Sequence, residues 1–164
     1  MLQNKFTTTD TMLKEYVIKI ICKNLLVKGF IISTLGIIIT FYHLLKYQYI
    51  QVGIFGSVTF ICILVTIISP YVTYKQLKTS NLNLHNGNTP ETNIIFDDKI
   101  YIREGSLSIN IEYSQIKKFY KLKSCYVLII GKSNGIIVDK NGFVNGTIDY
   151  FFTLIKQQCT NLKI

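Results

Sequence analysis

"HLLKYQYIQV", His43–Val52, separates two long apolar stretches, and its reading decides what kind of protein this is. Before it lies "GFIISTLGIIITFYHLL", Gly29–Leu45, with no Lys, Arg, Asp or Glu. Extended back to Leu25 the stretch has 21 residues and takes in Lys28, whose long stem lets the ammonium reach lipid headgroups. At about 1.5 Å rise per residue, a helix of that length covers a hydrocarbon core of roughly 30 Å. After it lies "IQVGIFGSVTFICILVTIISPYV", Ile50–Val72, which is long enough on its own. Two core helices of a soluble protein, apolar all round, would need wrapping on every side. A chain of 164 residues has too little left to do this. The expectation is a membrane α-helical hairpin with spans at about 25–45 and 50–72. "KYQY" is its tip, with Lys46 at the headgroups and Tyr42, Tyr47 and Tyr49 as an interfacial belt. Gly36, Gly53, Gly56, Ser57 and Ser69 are small enough to let the helices approach closely, and Pro70 reads as a kink or stop near the second helix's end.

Charge gives the orientation. The net charge of +9 divides into +6 over residues 1–89 and +3 over 90–164, so the basic excess lies mainly beside the apolar stretches. Lys14, Lys19, Lys23 and Lys28 flank the first span, Lys75 and Lys78 the second, and Lys46 alone marks the tip. Positive charge stays inside, so both termini are expected in the cytoplasm of a multi-pass protein of the cell membrane. The N-terminus has no apolar run or cleavage site before Gly29, so no signal peptide is expected to be removed. Nucleic acid is excluded as a partner, because there is no arginine cluster and no basic–aromatic RNA-binding motif. Cys22, Cys62, Cys125 and Cys159 are too far apart for a zinc or redox pair and read as small apolar side chains.

Residues 1–24 read as a cytoplasmic segment with an amphipathic helix. Thr9 or Asp10 caps it, Leu13, Tyr16, Val17 and Ile20 share a face, and Glu15–Lys19 is a favourable i, i+4 pair. Such a basic helix either lies on anionic lipid or simply extends the span.

Beyond the spans, residues 76–91 are a polar linker or a helix ending at His85-Asn86-Gly87. The hydrophobic period then becomes two. "TNIIF", "KIYIRE", "LSINIEY", "IKKFYKL", "CYVLIIG" and "IIVDK" read as five or six strands, with turns at Asp97-Asp98, Gly105-Ser106, Lys123-Ser124 and Asn134-Gly135. They predict an antiparallel β-meander. The period changes again in "GTIDYFFTLIKQQCTN", where Ile148, Phe151, Phe152, Ile155 and Cys159 share a helical face. Residues 92–164 are thus an α+β domain closed by a C-terminal amphipathic helix. Gly87–Ile164 is expected to fold alone, with Phe151 anchoring its core beside Ile148 and Ile155.

No enzyme chemistry is legible. His43 and His85 have no carboxylate or thiol nearby in sequence. Asp97-Asp98 reads as a turn, and "DKNGF" at Asp139 lacks the later acidic ligands of a calcium loop. No phosphate-binding glycine motif occurs, so no cofactor and no metal is expected. The most suggestive feature is a basic strand with Lys117, Phe119, Lys121 and Lys123 on one side. Lys117, Lys121 and Lys123 read either as a contact for anionic lipid or an acidic partner, or as charges that keep a sheet edge from aggregating.

A small curled sheet with one helix across it is the architecture of a pleckstrin-homology-like domain. The order of parts, with Tyr113-x-x-Ile116-x-x at a strand start and Lys140-x-x-Phe143 before the last helix, resembles the YcxB-like family of small bacterial membrane proteins. The resemblance implies a cytoplasm-facing membrane protein with a PH-like domain and brings no catalytic residues. The expected function is non-enzymatic, with the PH-like domain meeting a protein or an anionic lipid surface. The alternative is an accessory or immunity-type subunit acting on a transporter or toxin through its spans. The expected partners are the bilayer and either another protein or further copies of the chain.

Overall fold

The computed structural model describes residues 1–131, 134–159 and 162. The chain divides into two compact units, Val17–Leu77 and Met1–Tyr16 with Lys78–Ile164.

The first unit is helical. A short π-helical segment, Val17–Ile21, leads into helix α2, Lys23–Leu45, and helix α3 begins at Tyr49 and runs to Leu84. (Helix α1, Asp10–Tyr16, belongs to the second unit.) Both helices are long and apolar enough to cross a membrane, with mean hydropathies of 2.0 and 2.4 over their most apolar stretches. Their side chains are exposed all round, as at Phe30, Ile38, Phe41, Ile50, Phe60 and Ile67. An apolar surface of that extent suits lipid and not water.

The tip falls where the sequence places it. Gln48 N–H donates to the His43 carbonyl at 3.0 Å, and Tyr47 takes φ +56° to reverse the chain. The α2–α3 seam repeats every seven residues on both helices. Cys22 Sγ lies 3.7 Å from Thr73 Oγ1, Gly29 faces Thr66, and Gly36 faces Thr59. A seven-residue repeat is the period of left-handed helix packing. Thr59 and Thr66 give their hydroxyls to the carbonyls of Phe55 and Cys62 on their own helix. Gly36 and Gly56 take part as expected, Gly29 joins them, and Gly53 has no neighbour within 4 Å of where a Cβ would be. Pro70 lies inside α3 and does not stop it, so Gln76–Leu84 is helix and not linker.

Among the described residues, the second unit is built on eight strands. Six fall where the sequence places them: β2 (Glu91–Phe96), β3 (Ile100–Glu104), β4 (Leu107–Ile111), β5 (Lys118–Lys121), β6 (Cys125–Ile129) and β7 (Gly135–Asp139). They are two meanders and not one. β2–β3–β4 belong to one sheet and β5–β6–β7 to another, with a single 3-10 turn, Tyr113–Gln115, between β4 and β5. The remaining two strands are β1 (Leu2–Thr7) and β8 (Phe143–Asn145), and the five-stranded sheet runs β4-β3-β2-β1-β8.

β1 changes the domain boundary. The expected domain began at residue 92, with residues 1–24 apart from it. Instead Leu2↔Phe96 through Thr7↔Glu91 pair antiparallel, and Leu2, Asn4 and Phe6 point into the core. The helical hairpin is therefore an insertion between the first and second strands of one sheet. Asn4 is fully buried and joins the two sheets, donating from Nδ2 to the Asp139 carbonyl at 2.8 Å and accepting from Asp139 N–H at 3.2 Å. Gly142 is needed beside it, because a Cβ there would stand 2.7 Å from the Lys5 carbonyl oxygen, a backbone atom that cannot swing away.

Helix α4 (Ile148–Gln158) closes the domain, with the Thr147 hydroxyl accepting from Tyr150 N–H as its N-cap. Phe151 is fully buried and meets rings from four strands: Phe96 at 5.2 Å, Phe143 at 5.5 Å, Tyr126 at 5.7 Å and Phe119 at 6.2 Å. Ile155 and Cys159 are buried below it, while Ile148 is half-buried.

Candidate functional site: a basic face on an edge strand

Strand β5 is an edge strand of the three-stranded sheet among the described residues. Between Glu112 and Asp139 the sequence has five lysines and no acid. Lys117, Lys118, Lys121 and Lys123 are all exposed. Lys118 and Lys121 lie within the strand, while Lys117 precedes it and Lys123 sits in the turn to β6.

The strand's alternation sends Phe119 inward, where it meets Tyr126 at 5.7 Å and Phe152 of α4 at 5.8 Å. Lys121 shares that side and places its Nζ 5.6 Å from the centre of the Phe152 ring. Its ammonium therefore stands over a half-buried aromatic face, a favourable cation–π position. Lys140 was not foreseen here. The Cys125↔Asp139 pairing brings it alongside, where its Nζ donates to the Lys123 carbonyl at 2.8 Å and lies 5.3 Å from the Tyr126 ring centre. Lys121, Lys140 and the Lys123 backbone thus surround Tyr126 and Phe152. Lys118 falls on the opposite face.

The turn beneath this face is held from the N-terminal segment. Glu15 Oε2 accepts from Ser124 Oγ at 2.6 Å and Ser124 N–H at 2.9 Å. Partial burial pushes the Glu15 carboxyl upward, but the two Ser124 bonds and the Lys140 charge outweigh this, so its pKa lies below the ordinary value. Glu15 is thus spent on the β5–β6 turn and not on the expected helix pair with Lys19.

The other residues with chemistry lie elsewhere. Asp97 and Asp98 form the expected turn, with Asp98 Oδ1 accepting from Tyr101 OH at 2.8 Å. Burial pushes the Cys125 and Cys159 thiols up to about 11, which suits apolar side chains. His43 stacks on Phe55 near the hairpin tip. His85 does acquire a carboxylate neighbour: its side chain is almost fully buried and its Nε2 lies 3.9 Å from Glu104 Oε1. Asn81 Nδ2 approaches the same oxygen at 3.5 Å. Nineteen residues separate His85 from Glu104, so only the return of the β3–β4 turn to the end of α3 brings them together.

The search of curated proteins and the search of solved structures gave no match. Residues 95–155, from the end of β2 through β8 and into α4, match the family described as YcxB-like protein. The motifs singled out in the sequence fall inside that range, as do β5, Lys140 and Phe151. The chain carries a YcxB-like segment over residues 95–155.

Proposed function

We propose that this is a two-pass membrane protein whose sheet domain, PH-like in having two antiparallel sheets closed by a C-terminal helix, lies in the cytoplasm and rests its basic face on the anionic inner leaflet. The observation that carries the reading is the exposure of Lys117, Lys121 and Lys123 on a stretch free of acids. Each lysine near an anionic surface contributes roughly 1 kcal/mol. Three give a weak contact, which tethering by the spans makes populated through effective concentration. Its role is interaction and not catalysis.

Lysine footprinting tests this on the whole chain. The protein is placed in nanodiscs with neutral or anionic lipid, lysines are acylated, and the sites are read by mass spectrometry. Lys117, Lys121 and Lys123 should be protected in anionic discs relative to Lys99, and the protection should fade with salt, since exposed charges are screened beyond about 10 Å at 0.1 M. Equal modification in both lipids at low salt would refute it. One observation favours a second reading. β5 is an edge strand, and lysines on an edge also hinder sheet-to-sheet aggregation, a role indifferent to lipid charge.

A further inference from the structure

We propose that strand β4 is the pairing edge for β4 of a second copy of this chain. The edges of the two sheets are not equally defended. β5 carries Lys118 and Lys121, β7 is bonded through the Asp139 backbone to Asn4 of β1, and β8 is only three residues long. β4, at the far edge of the five-stranded sheet, has five residues with no charge and no proline, and Leu107–Asn110 are exposed. Leu107 and Ile109 are 43% and 55% exposed although they stand on the sheet's inner face, in line with buried Ile111.

The β3–β4 turn settles which backbone groups are free. Glu104↔Leu107 flank a two-residue turn in which Gly105 has φ +57°, the sign a type II′ turn requires at its first central residue. Residues flanking such a turn exchange both hydrogen bonds, and the pattern then alternates. Leu107, Ile109 and Ile111 therefore bond to β3, while the N–H and C=O of Ser108 and Asn110 point off the edge.

The pattern Leu-Ser-Ile-Asn-Ile is symmetric about Ile109, which identifies the occupant. Antiparallel pairing of two copies about Ile109 sets Ser108 opposite Asn110 for four backbone hydrogen bonds. It sets Leu107 opposite Ile111 and Ile109 opposite Ile109 on the same inner face. The flanking charges agree: Glu112 meets Ser106 and Glu104 meets Ser114. Pairing about Ser108 instead would oppose Glu104 to Glu112, and like charges directly opposite are destabilising. A five-residue edge buries far less than the roughly 1,200 Å² of a stable soluble dimer. The association therefore needs the concentration that confinement to a membrane supplies, and in that respect it rests on the membrane reading.

The test uses the full chain in proteoliposomes. Ile109→Cys, at the close-approach pair on the axis, should give a covalent dimer of twice the chain mass on mild oxidation. Wild type, with its four native cysteines, and Val144→Cys on exposed β8 should give several-fold less. Asn110→Pro removes an N–H that the chain's own ladder does not use. It should leave the melting temperature unchanged while single-molecule bleaching in sparse liposomes shifts from two steps to one. Cross-linking of Ile109→Cys no greater than that of Val144→Cys, an adduct of any other mass, or two-step bleaching unaltered by Asn110→Pro would overturn the pairing. Footprinting of the lysines and labelling of the tip are independent of β4, so a failure of the membrane reading would be distinguishable.

Discussion

Asn4 and Asp139 are hydrogen-bonded twice, side-chain amide to backbone, across the gap between the two sheets of the domain. Asn4 is fully buried, so removing its amide takes the acceptor from the Asp139 N–H and leaves the Asp139 carbonyl with only the longer bond from Gly142 N–H, at 3.4 Å. Each buried group left unpaired costs roughly 1–3 kcal/mol. Asn4→Ala should therefore lower stability by about 2–5 kcal/mol in chemical denaturation of the detergent-purified chain. Amides of β7 should exchange faster. A change below 0.5 kcal/mol would mean the sheets are held by other contacts.

β1 is interior to its sheet, flanked by β2 and β8. Deleting residues 1–7 should strip the partner from β2, uncover Ile94 and Phe96, and abolish the cooperative unfolding of the sheet domain. Gly87–Ile164 expressed alone should likewise fail to fold, while residues 1–16 joined to 78–164 by a flexible linker should fold. Circular dichroism and thermal melts decide this. A cooperative melt of 87–164 alone would show that β1 is dispensable.

The limits of reading this sequence follow from the same strand. The hairpin was legible because two charge-free apolar runs of spanning length flank a short polar tip. β2–β7 were legible because alternation and turn residues sit together in the chain. β1 was not. Leu2, Asn4 and Phe6 alternate, but a central polar residue breaks the apolar signal, and the partner strand lies beyond the whole hairpin. The π-helical Val17–Ile21 left no mark in the periodicity. Of the candidate site, the lysines of β5 were visible in sequence, whereas Lys140 joins them only through β6–β7 register. Glu15 meets Ser124 across 109 positions.

Adjacent phenylalanines should differ in weight. Phe151 is fully buried and touches rings of both sheets, while Phe152 is half-buried under Lys121. Phe151→Ala should cost about 3–5 kcal/mol. Phe152→Ala should cost clearly less, measured side by side in denaturant. Equal losses would contradict the placement of α4.

Glu15 makes stability depend on acid. Its folded pKa lies below the unfolded value, so its contribution is fully present above the unfolded pKa and is lost as pH falls through the folded one. Wild type should be more stable than Glu15→Gln at pH 7, and the difference should shrink progressively once pH falls below the unfolded glutamate value of about 4.3. A stability difference that stays constant from pH 7 to pH 3 would remove Glu15 from the account.

The proposed topology has one domain, interrupted by a two-span hairpin, with both flanks of that hairpin on the cytoplasmic side. The pairing of Leu2 with Phe96 requires a common side, and the lysine asymmetry is the ground for proposing the cytoplasmic one. The direct measurement is thiol labelling of intact cells with single cysteines at Thr11, Gln48 and Asn86, using an impermeant reagent before and after permeabilisation. Gln48→Cys should label in intact cells, and Thr11→Cys and Asn86→Cys only after permeabilisation. Labelling of Thr11→Cys and Asn86→Cys from opposite sides would contradict the β1–β2 pairing, and labelling of both from outside with Gln48→Cys protected would reverse the orientation.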